Sequence, residues 1–299
     1  FEKEYLEKTR ITLPIKRGKV GLPRAVSRGQ NVLNFLFELL DSTEDLKDFS
    51  KLPIPFFCIA TDVENGGEVL LEKGSLPLAL RASGSFPTLL DPVILDDKLL
   101  IDGGVANNFP VTIMKSKGVD IIIGVDVEGK LYEKEKLTSV IAILNQIVSY
   151  QMYRKSTEEK EKLDVYIHPE IFKYNVVDFD KKDEIIKKGE IEAKKYREIF
   201  KEIAVKQIIK KKKKLLNINT DKRYISKINI TGNNYYTRAY VLGKLTIKKG
   251  DSLSRQEITK DIHLLSATKN YGRIEYQLKK QADKSYHLNF KLKESNDNA

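Results

Sequence analysis

The stretch ASGSFPTLLDPVILDDKLLIDGGVANNFP, residues 82–110, decides how the rest of the chain is interpreted. Its apolar run at 98–101 predicts a strand that carries Asp102 to the point where Gly103 and Gly104 turn the backbone. Strand ends beside glycine turns are where α/β proteins often hold catalytic groups, because the strand is rigid and glycine lets other atoms approach. Asp-Gly is also ordinary hairpin chemistry, so a simple turn is the competing interpretation.

The composition indicates a globular chain of about two domains, with most of its net positive charge in the last third. The chain has 299 residues, of which 41% are hydrophobic, and a net charge of +11. Residues 217–299 contain 16 Lys or Arg and 8 Asp or Glu, so they carry +8 of that charge. Such an excess suits anionic lipid, an acidic partner or nucleic acid, and nucleic acid ranks last because no nucleic-acid-binding motif accompanies it. The single cysteine, Cys58, excludes an internal disulfide and any multi-cysteine metal site.

Residues 1–30 are basic and irregular and predict a surface loop. Hydrophobic periodicity predicts alternating helices and strands from residue 31 to 205, the pattern of an α/β fold. Continuous apolar runs there predict strands that are buried on both faces. Asn107 or Asn108 is expected to cap a helix that contains Pro110 in its first turn, and Gly118 is expected to end that helix. The predicted helices span residues 31–48, 76–82, 137–159 and 181–214, and the predicted strands span 54–62, 68–71, 92–95, 98–101, 120–127 and 163–168.

Two charged features of this region have competing interpretations. Asp126 stands at the end of the strand predicted over 120–127 and is a second carboxylate candidate, but a solvated strand end is favoured. Lys210–Lys214 form a run of five lysines that suits anionic lipid headgroups, but a solvated linker is favoured there.

The pattern of the residues after 217 changes and predicts a separate unit. Thr237 is expected to cap one helix, and Ser254 with Glu257 forms a capping box at the start of another. The order β-α-α-β-β predicts an independent small α+β domain. The strands are predicted over residues 224–230, 271–279 and 286–293.

Several short blocks resemble, in the same order, the C-terminal half of a patatin-like phospholipase, over roughly residues 30–205. They include Ile59-Ala60-Thr61-Asp62, ALRASGSFP at 79–87, Ile101-Asp102-Gly103-Gly104, and Pro110-Val111. The tail, from Ile228 through the last two strands, is similar to a POTRA domain. The combination resembles the patatin-bearing type V autotransporters of Gram-negative bacteria.

This resemblance implies an α/β fold of the patatin-like α/β/α sandwich type, lacking its N-terminal part, followed by a small α+β POTRA-like domain. We expect a partial patatin-like acyl hydrolase domain over residues 1–205, a lysine-rich linker over 206–222 and the POTRA-like domain over 223–295.

In patatin-like enzymes a serine on a Gly-x-Ser-x-Gly elbow attacks the ester, and the aspartate of Asp-Gly-Gly removes its proton. The resemblance therefore implies that Asp102 is the general base, with Gly103 and Gly104 as the binding turn of the site. A carboxylate in a dry cleft suits this role, because desolvation raises its pKa. No histidine, metal or cofactor is expected in this scheme.

The serine elbow is absent from the sequence, because no serine has glycine at both flanking second positions. Ser83 and Ser85 come closest and are assigned to packing, since Arg81 and Ser83 occupy the preceding second positions. No glycine-rich oxyanion loop is present either. The chain begins at Phe1 without a methionine, so we expect a fragment that carries the base without its nucleophile and is inactive alone.

The resemblance further implies a phospholipid substrate, a membrane surface and a downstream outer-membrane β-barrel as partners, and no nucleic acid. It places the protein at the cell surface or outside the cell, with the POTRA portion in the periplasm. The alternative hypothesis is a non-catalytic secretion or interaction module, whose POTRA domain serves transport or barrel contacts.

Overall fold

The computed structural model describes residues 15–16, 19–20, 25–174, 178–207 and 222–295. Its strands are β1 (Ile15–Lys16), β2 (Lys19–Val20), β3 (Ala25–Ser27), β4 (Cys58–Asp62), β5 (Glu68–Leu71), β6 (Thr88–Leu90), β7 (Val93–Leu95), β8 (Lys98–Asp102), β9 (Ile123–Val125), β10 (Val165–Ile167), β11 (Arg223–Thr231), β12 (Ser252–Leu253), β13 (Tyr271–Lys280) and β14 (Tyr286–Glu294). Its α-helices are α1 (Gln30–Leu39), α2 (Leu76–Ser83), α3 (Gly104–Asn107), α4 (Val111–Ser116), α5 (Val140–Lys160), α6 (Lys182–Lys195), α7 (Arg197–Lys206), α8 (Arg238–Lys244) and α9 (Arg255–Ala267).

Backbone contacts divide the chain into two compact units that interleave along the sequence. The first unit comprises Phe1–Cys58, Leu71–Ile101 and Lys214–Ala299, and the second comprises Ile59–Leu70 and Asp102–Lys213. The mixed α/β fold predicted from the sequence is confirmed.

The hairpin that leads to Asp102 forms in the first unit as predicted. Strands β7 and β8 are antiparallel, with Val93 opposite Leu100 and Leu95 opposite Lys98. The turn residues Asp96 and Asp97 have φ angles of 48° and 60°. These left-handed values are typical of a two-residue hairpin loop, and aspartate tolerates them better than most residues.

The C-terminal part of the first unit has the predicted β-α-α-β-β order, with the two-residue strand β12 added between the helices. The sheet runs β12-β11-β14-β13, in which β11 is parallel to β14 and β13 is antiparallel to it. Thr237 caps α8, and Ser254 and Glu257 form the complete capping box of α9, so both predicted caps are confirmed. Helix and sheet residues share one core, represented by the fully buried Ile258, Ile262 and Leu288.

The second unit contains β5 beside β4, the parallel pair β9 and β10, and helices α3 to α7. The long helix α5 begins after Ser139, whose hydroxyl accepts a hydrogen bond from the Ala142 amide at 3.1 Å. It packs against α3, the short helix that follows Asp102. No helix in the described part of the chain is long and apolar enough to cross a bilayer.

Several predicted elements differ from the structure. The strand predicted over 54–62 begins only at Cys58, and Ile54 is 83% exposed. The strand predicted over 120–127 is confined to β9, whose burial alternates, so the prediction of burial on both faces was wrong. Neither Asn107 nor Asn108 caps α4, since both side chains bind carboxylates instead. Gly118 does end α4, with a φ of 75°.

The C-terminal helix of the second unit is also shorter than predicted. The helix expected over 181–214 is interrupted at Tyr196, between α6 and α7, and α7 ends at Lys206. The lysine run Lys210–Lys214 lies outside the described residues.

Candidate active site

Asp102 is the last residue of β8 and lies at the mouth of the turn that the sequence singled out. Its Oδ1 accepts a hydrogen bond from the Gly104 amide at 2.8 Å. Among the described residues, Oδ2 has no hydrogen-bond partner. One carboxylate oxygen is therefore fixed by the backbone, while the other is available to an incoming group.

Thr61 on β4 holds this strand end in place. Its hydroxyl donates to the Asp102 carbonyl at 2.8 Å and accepts from the Ala106 amide at 3.1 Å. Thr61 is almost fully buried, so these hydrogen bonds lie away from water, where leaving them unmade would be costly. The backbone on both sides of Asp102 is thereby fixed by one side chain.

The two glycines are required for space rather than for an unusual backbone conformation. Gly103 has a φ of −66°, which any residue can adopt. A Cβ at Gly103, however, would collide with the Ile59 carbonyl oxygen. A Cβ at Gly104 would lie 2.6 Å from Asn108 Oδ1 and against the Met152 side chain. Both glycines therefore let neighbouring groups approach the Asp102 turn closely.

Burial raises the pKa of Asp102 above its ordinary value of 3.8, and the Gly104 hydrogen bond opposes that rise only in part. The direction is the one expected for a carboxylate that is removed from water without a cation beside it. A raised pKa makes the carboxylate a better proton acceptor, which is the property that a general base requires.

A second carboxylate cluster was misjudged in the sequence, because Asp126 is only 2% exposed rather than solvated. Its Oδ2 lies 2.7 Å from Lys160 Nζ and accepts a hydrogen bond from the Tyr166 hydroxyl at 2.6 Å. His168 Nδ1 is 3.3 Å from the same oxygen. Lys160 also lies 2.8 Å from Glu128 Oε2, so the lysine bridges two carboxylates.

The ion pairs in this cluster outweigh the cost of burial. Burial alone would raise the pKa of Asp126. Hydrogen bonds from Lys160 and Tyr166 lower it by more than burial raises it, so the net shift is downward. The pKa of Lys160 is raised overall, because its two carboxylate partners outweigh its burial. Burial and the neighbouring Asp126 raise the pKa of Tyr166 to about 12. Asp126 therefore stays ionised, and it lacks the free oxygen that Asp102 retains.

Asn108 connects the Asp102 turn to this cluster. Its Nδ2 donates to Glu128 Oε1 at 2.7 Å, and the Ser156 hydroxyl donates to the same oxygen at 2.7 Å. Asn108 Oδ1 lies against Gly104. Asn108 therefore contacts both the turn that follows Asp102 and Glu128, which in turn binds Lys160.

Ser85, one of the two serines nearest to the elbow motif, has a structural role in the first unit. Ser85 is fully buried, and its hydroxyl donates to the Arg81 carbonyl at 2.7 Å and accepts from the Arg81 guanidinium. Cys58 is not an alternative nucleophile, because burial raises the pKa of its thiol to about 11. No serine among the described residues hydrogen-bonds to the Asp102 carboxylate. Within the described residues, there is no group of three or more His, Cys, Asp or Glu side chains that could hold a metal ion.

Fold and site together define an α/β domain with a buried Asp-Gly-Gly turn, followed by a small α+β module. The sequence profile described as patatin-like phospholipase matches residues 9–115, and the POTRA profile, described as surface antigen variable number repeat, matches residues 223–295. The chain therefore carries a patatin-like phospholipase domain followed by a POTRA domain, as the resemblance predicted.

Individual relatives match parts of this chain. An uncharacterized NTE family protein of Mycobacterium bovis is 33% identical over 95 residues, which are 31% of this chain and 26% of that protein. The lysophospholipase NTE1 of Candida albicans is 32% identical over 162 residues, 46% of this chain and 12% of that protein. Another uncharacterized NTE family protein, of Mycobacterium tuberculosis, is 39% identical over 75 residues, 25% of this chain and 13% of that protein. The chain thus spans about a quarter or less of the length of these relatives.

Proposed function

We propose that this chain is part of a lipid acyl hydrolase that cleaves phospholipid esters, with Asp102 as the general base. The observation that carries the proposal is the state of the Asp102 carboxylate, which has one oxygen fixed by Gly104 and the other unpartnered among the described residues. The similarity to a lysophospholipase supports a lipid ester as the substrate.

In the proposed reaction, a serine hydroxyl approaches Asp102 Oδ2 and gives up its proton as the oxygen attacks the ester carbonyl. Deprotonation needs a base within hydrogen-bond distance whose pKa lies closer to neutral than that of an ordinary carboxylate. The half-buried position of Asp102 supports this role. Gly103 and Gly104 form the turn that positions the carboxylate, because Ile59 packs against the first glycine and Asn108 and Met152 pack against the second.

The serine and the oxyanion-hole donors are proposed to come from a longer protein that contains this chain, since the sequence has no Gly-x-Ser-x-Gly. This chain alone is then expected to hydrolyse no fluorogenic ester above the buffer rate. Turnover by the isolated chain would show that another nucleophile, within these residues, does the chemistry.

The role of Asp102 is tested by Asp102→Asn in a longer form of the protein that includes an upstream serine elbow. We expect kcat/KM for a fluorogenic acyl ester to fall by about 10²–10⁴-fold, because the amide cannot accept the serine proton. Asp97→Asn is the matched control, since Asp97 lies at the hairpin tip with a φ of 60° that asparagine also tolerates. Normal turnover in a folded Asp102→Asn variant would remove Asp102 from the mechanism.

The POTRA match supports a proposal for the cellular setting. We place the protein at the outer membrane or cell surface of a Gram-negative bacterium, with a phospholipid membrane as its substrate surface and an outer-membrane barrel as partner of the POTRA domain. The second candidate function is a non-catalytic secretion or interaction module, which the same POTRA match favours. A longer protein that contains the serine elbow yet shows no esterase activity would favour this second candidate.

A further inference from the structure

One face of helix α5 carries three side chains that converge on the turn after Asp102. Met152, Ser156 and Lys160 lie on that face, because residues four apart in an α-helix stand one above the other. Ser156 is fully buried, and the side chain of Lys160 is largely buried. This face therefore packs against the protein, and each of the three side chains contacts a different group there.

Met152 reaches the turn itself, where it meets two polar side chains. A Cβ on Gly104 would lie 2.5 Å from Met152 Cε. The same point lies 2.6 Å from Asn108 Oδ1 and 3.0 Å from Asp102 Oδ1. The Asn108 amide group and the Asp102 carboxylate therefore both pack against Gly104, whose backbone amide donates to that carboxylate.

The carboxylate of Glu128 fixes the other end of the Asn108 amide group. Asn108 Nδ2 donates to Glu128 Oε1 at 2.7 Å, and the Ser156 hydroxyl donates to the same oxygen at 2.7 Å. Lys160 Nζ lies 2.8 Å from Glu128 Oε2. Three donors hold the Glu128 carboxylate in one orientation. Because Nδ2 of Asn108 is bound to this carboxylate, Oδ1 of the same amide group is the atom that faces Gly104.

Asp126 holds the same cluster from its other side. Lys160 Nζ lies 2.7 Å from Asp126 Oδ2, and the Glu128 backbone amide donates to Asp126 Oδ1 at 2.9 Å. The Asp126 side chain is only 3% exposed, so water does not compete for these bonds. Asn108 contributes none of the charges in this cluster, and its removal leaves the ion pairs of Lys160 in place.

We propose that Asn108 is a positioning residue, which keeps the Gly104 amide directed at Asp102 Oδ1. Glu128 holds the Asn108 side chain against Gly104, and Oδ2 of Asp102 then stays available to the serine hydroxyl. The inference rests on the proposed function, in which Asp102 accepts the serine proton. Asn108 touches no reacting atom in this scheme and acts through the backbone that orients the base.

NMR of this chain tests the positioning without any turnover, through the pKa of the Asp102 carboxyl and the exchange rate of the Gly104 amide. Asn108→Ala removes the contact with Gly104 and keeps the ion pair between Glu128 and Lys160. The hydrogen bond from Gly104 lowers the pKa of Asp102. Weakening this bond should raise that pKa by about 0.5–1, the effect of one hydrogen bond. Exchange of the Gly104 amide should accelerate by about threefold or more.

Asn107→Ala is the matched control, because Asn107 precedes Asn108 and also donates from Nδ2 to a carboxylate, Glu68 Oε2 at 2.9 Å. That bond leads to β5 and not to the carboxylate that holds Asn108. We expect both NMR values to stay unchanged in this variant, although it loses a hydrogen bond of the same kind. Unchanged values in Asn108→Ala, or equal changes in both variants, would overturn the proposal. If Asn108→Ala does not fold, the milder Asn108→Ser decides by the same two measurements.

Kinetics of a longer form with a serine elbow test the consequence for catalysis. Asn108→Ala should lower kcat for a fluorogenic ester by about tenfold or more and change KM by less than about twofold, because a misplaced base slows the chemical step without altering ester binding. A change in KM alone would overturn the positioning role. Full turnover in Asp102→Asn would instead overturn the proposed function, whereas the NMR result on this chain decides the positioning of the carboxylate by itself.

Discussion

At the scale of single residues, the close approach at Gly103 is the most exacting feature of the candidate site. A Cβ at this position would overlap the Ile59 carbonyl oxygen, a backbone atom that cannot rotate away. We expect Gly103→Ala to lower the free energy of unfolding by about 1–3 kcal/mol, the usual cost of forcing extra atoms into a packed region. Gly129→Ala, where nothing lies within 4 Å, should change it by no more than about 0.5 kcal/mol in the same urea titration. Equal stability of the two variants would contradict the close contact.

The Asp102 carboxyl predicts a direction for the pH dependence of catalysis in the longer protein. A general base must be deprotonated, and burial raises the pKa of Asp102 above 3.8. The acidic limb of the kcat/KM profile should therefore lie above the ordinary aspartate value, with the rate rising as pH increases through it. Initial rates on a fluorogenic ester over a pH series measure this limb. A limb at or below 3.8 would show that the carboxylate is not desolvated in the working enzyme.

At the scale of elements, short sequence motifs predicted the helix caps of the POTRA domain correctly. The capping box at Ser254 forms as predicted, with the Glu257 carboxylate accepting from the Ser254 amide at 2.7 Å. Ser254→Ala should lower the free energy of unfolding by about 1 kcal/mol, because it removes the acceptor of an otherwise unpaired helix amide. The exposed Ser252 on β12 provides the control, since Ser252→Ala removes no such bond. A loss no larger than that of the control would mean that the cap adds nothing to the stability of α9.

The same local rules found Asp102 and its two glycines but could not find the groups around them. Thr61 reaches the Asp102 carbonyl from 41 residues earlier, and Tyr166 reaches Asp126 across 40 residues. Sequence distance of this kind leaves no periodic signal, so Asp126 was taken for a solvated strand end. The hydrophobic periodicity of a helix likewise cannot show which face of the helix is buried. In α5, Gln146 and Ser156 are buried because they bind the Tyr132 backbone and Glu128, while Val140 and Ile147 remain exposed.

At the scale of the whole molecule, an ion pair between Glu44 and Arg255 joins the N-terminal part of the chain to the POTRA domain within one compact unit. Burial raises the pKa of Glu44 from 4.5 to about 7, although the Leu278 amide and Arg223 act to lower it. The folded chain therefore binds the Glu44 proton more tightly than the unfolded chain does. Its contribution to stability is fully present below pH 4.5, decreases between pH 4.5 and about 7, and is absent above that range.

We expect this decrease to reach about 3–4 kcal/mol at most, because one pKa unit corresponds to about 1.4 kcal/mol. Urea titrations at pH 5 and pH 7.5 of the unaltered chain and of Glu44→Gln measure it, since the neutral amide has no proton to lose. The difference in unfolding free energy between the two chains should shift in favour of Glu44→Gln as pH rises. Glu38→Gln, on the exposed side of α1, should show no such shift. A pH-independent difference would mean that the ion pair between Glu44 and Arg255, 2.7 Å apart, offsets the burial of Glu44.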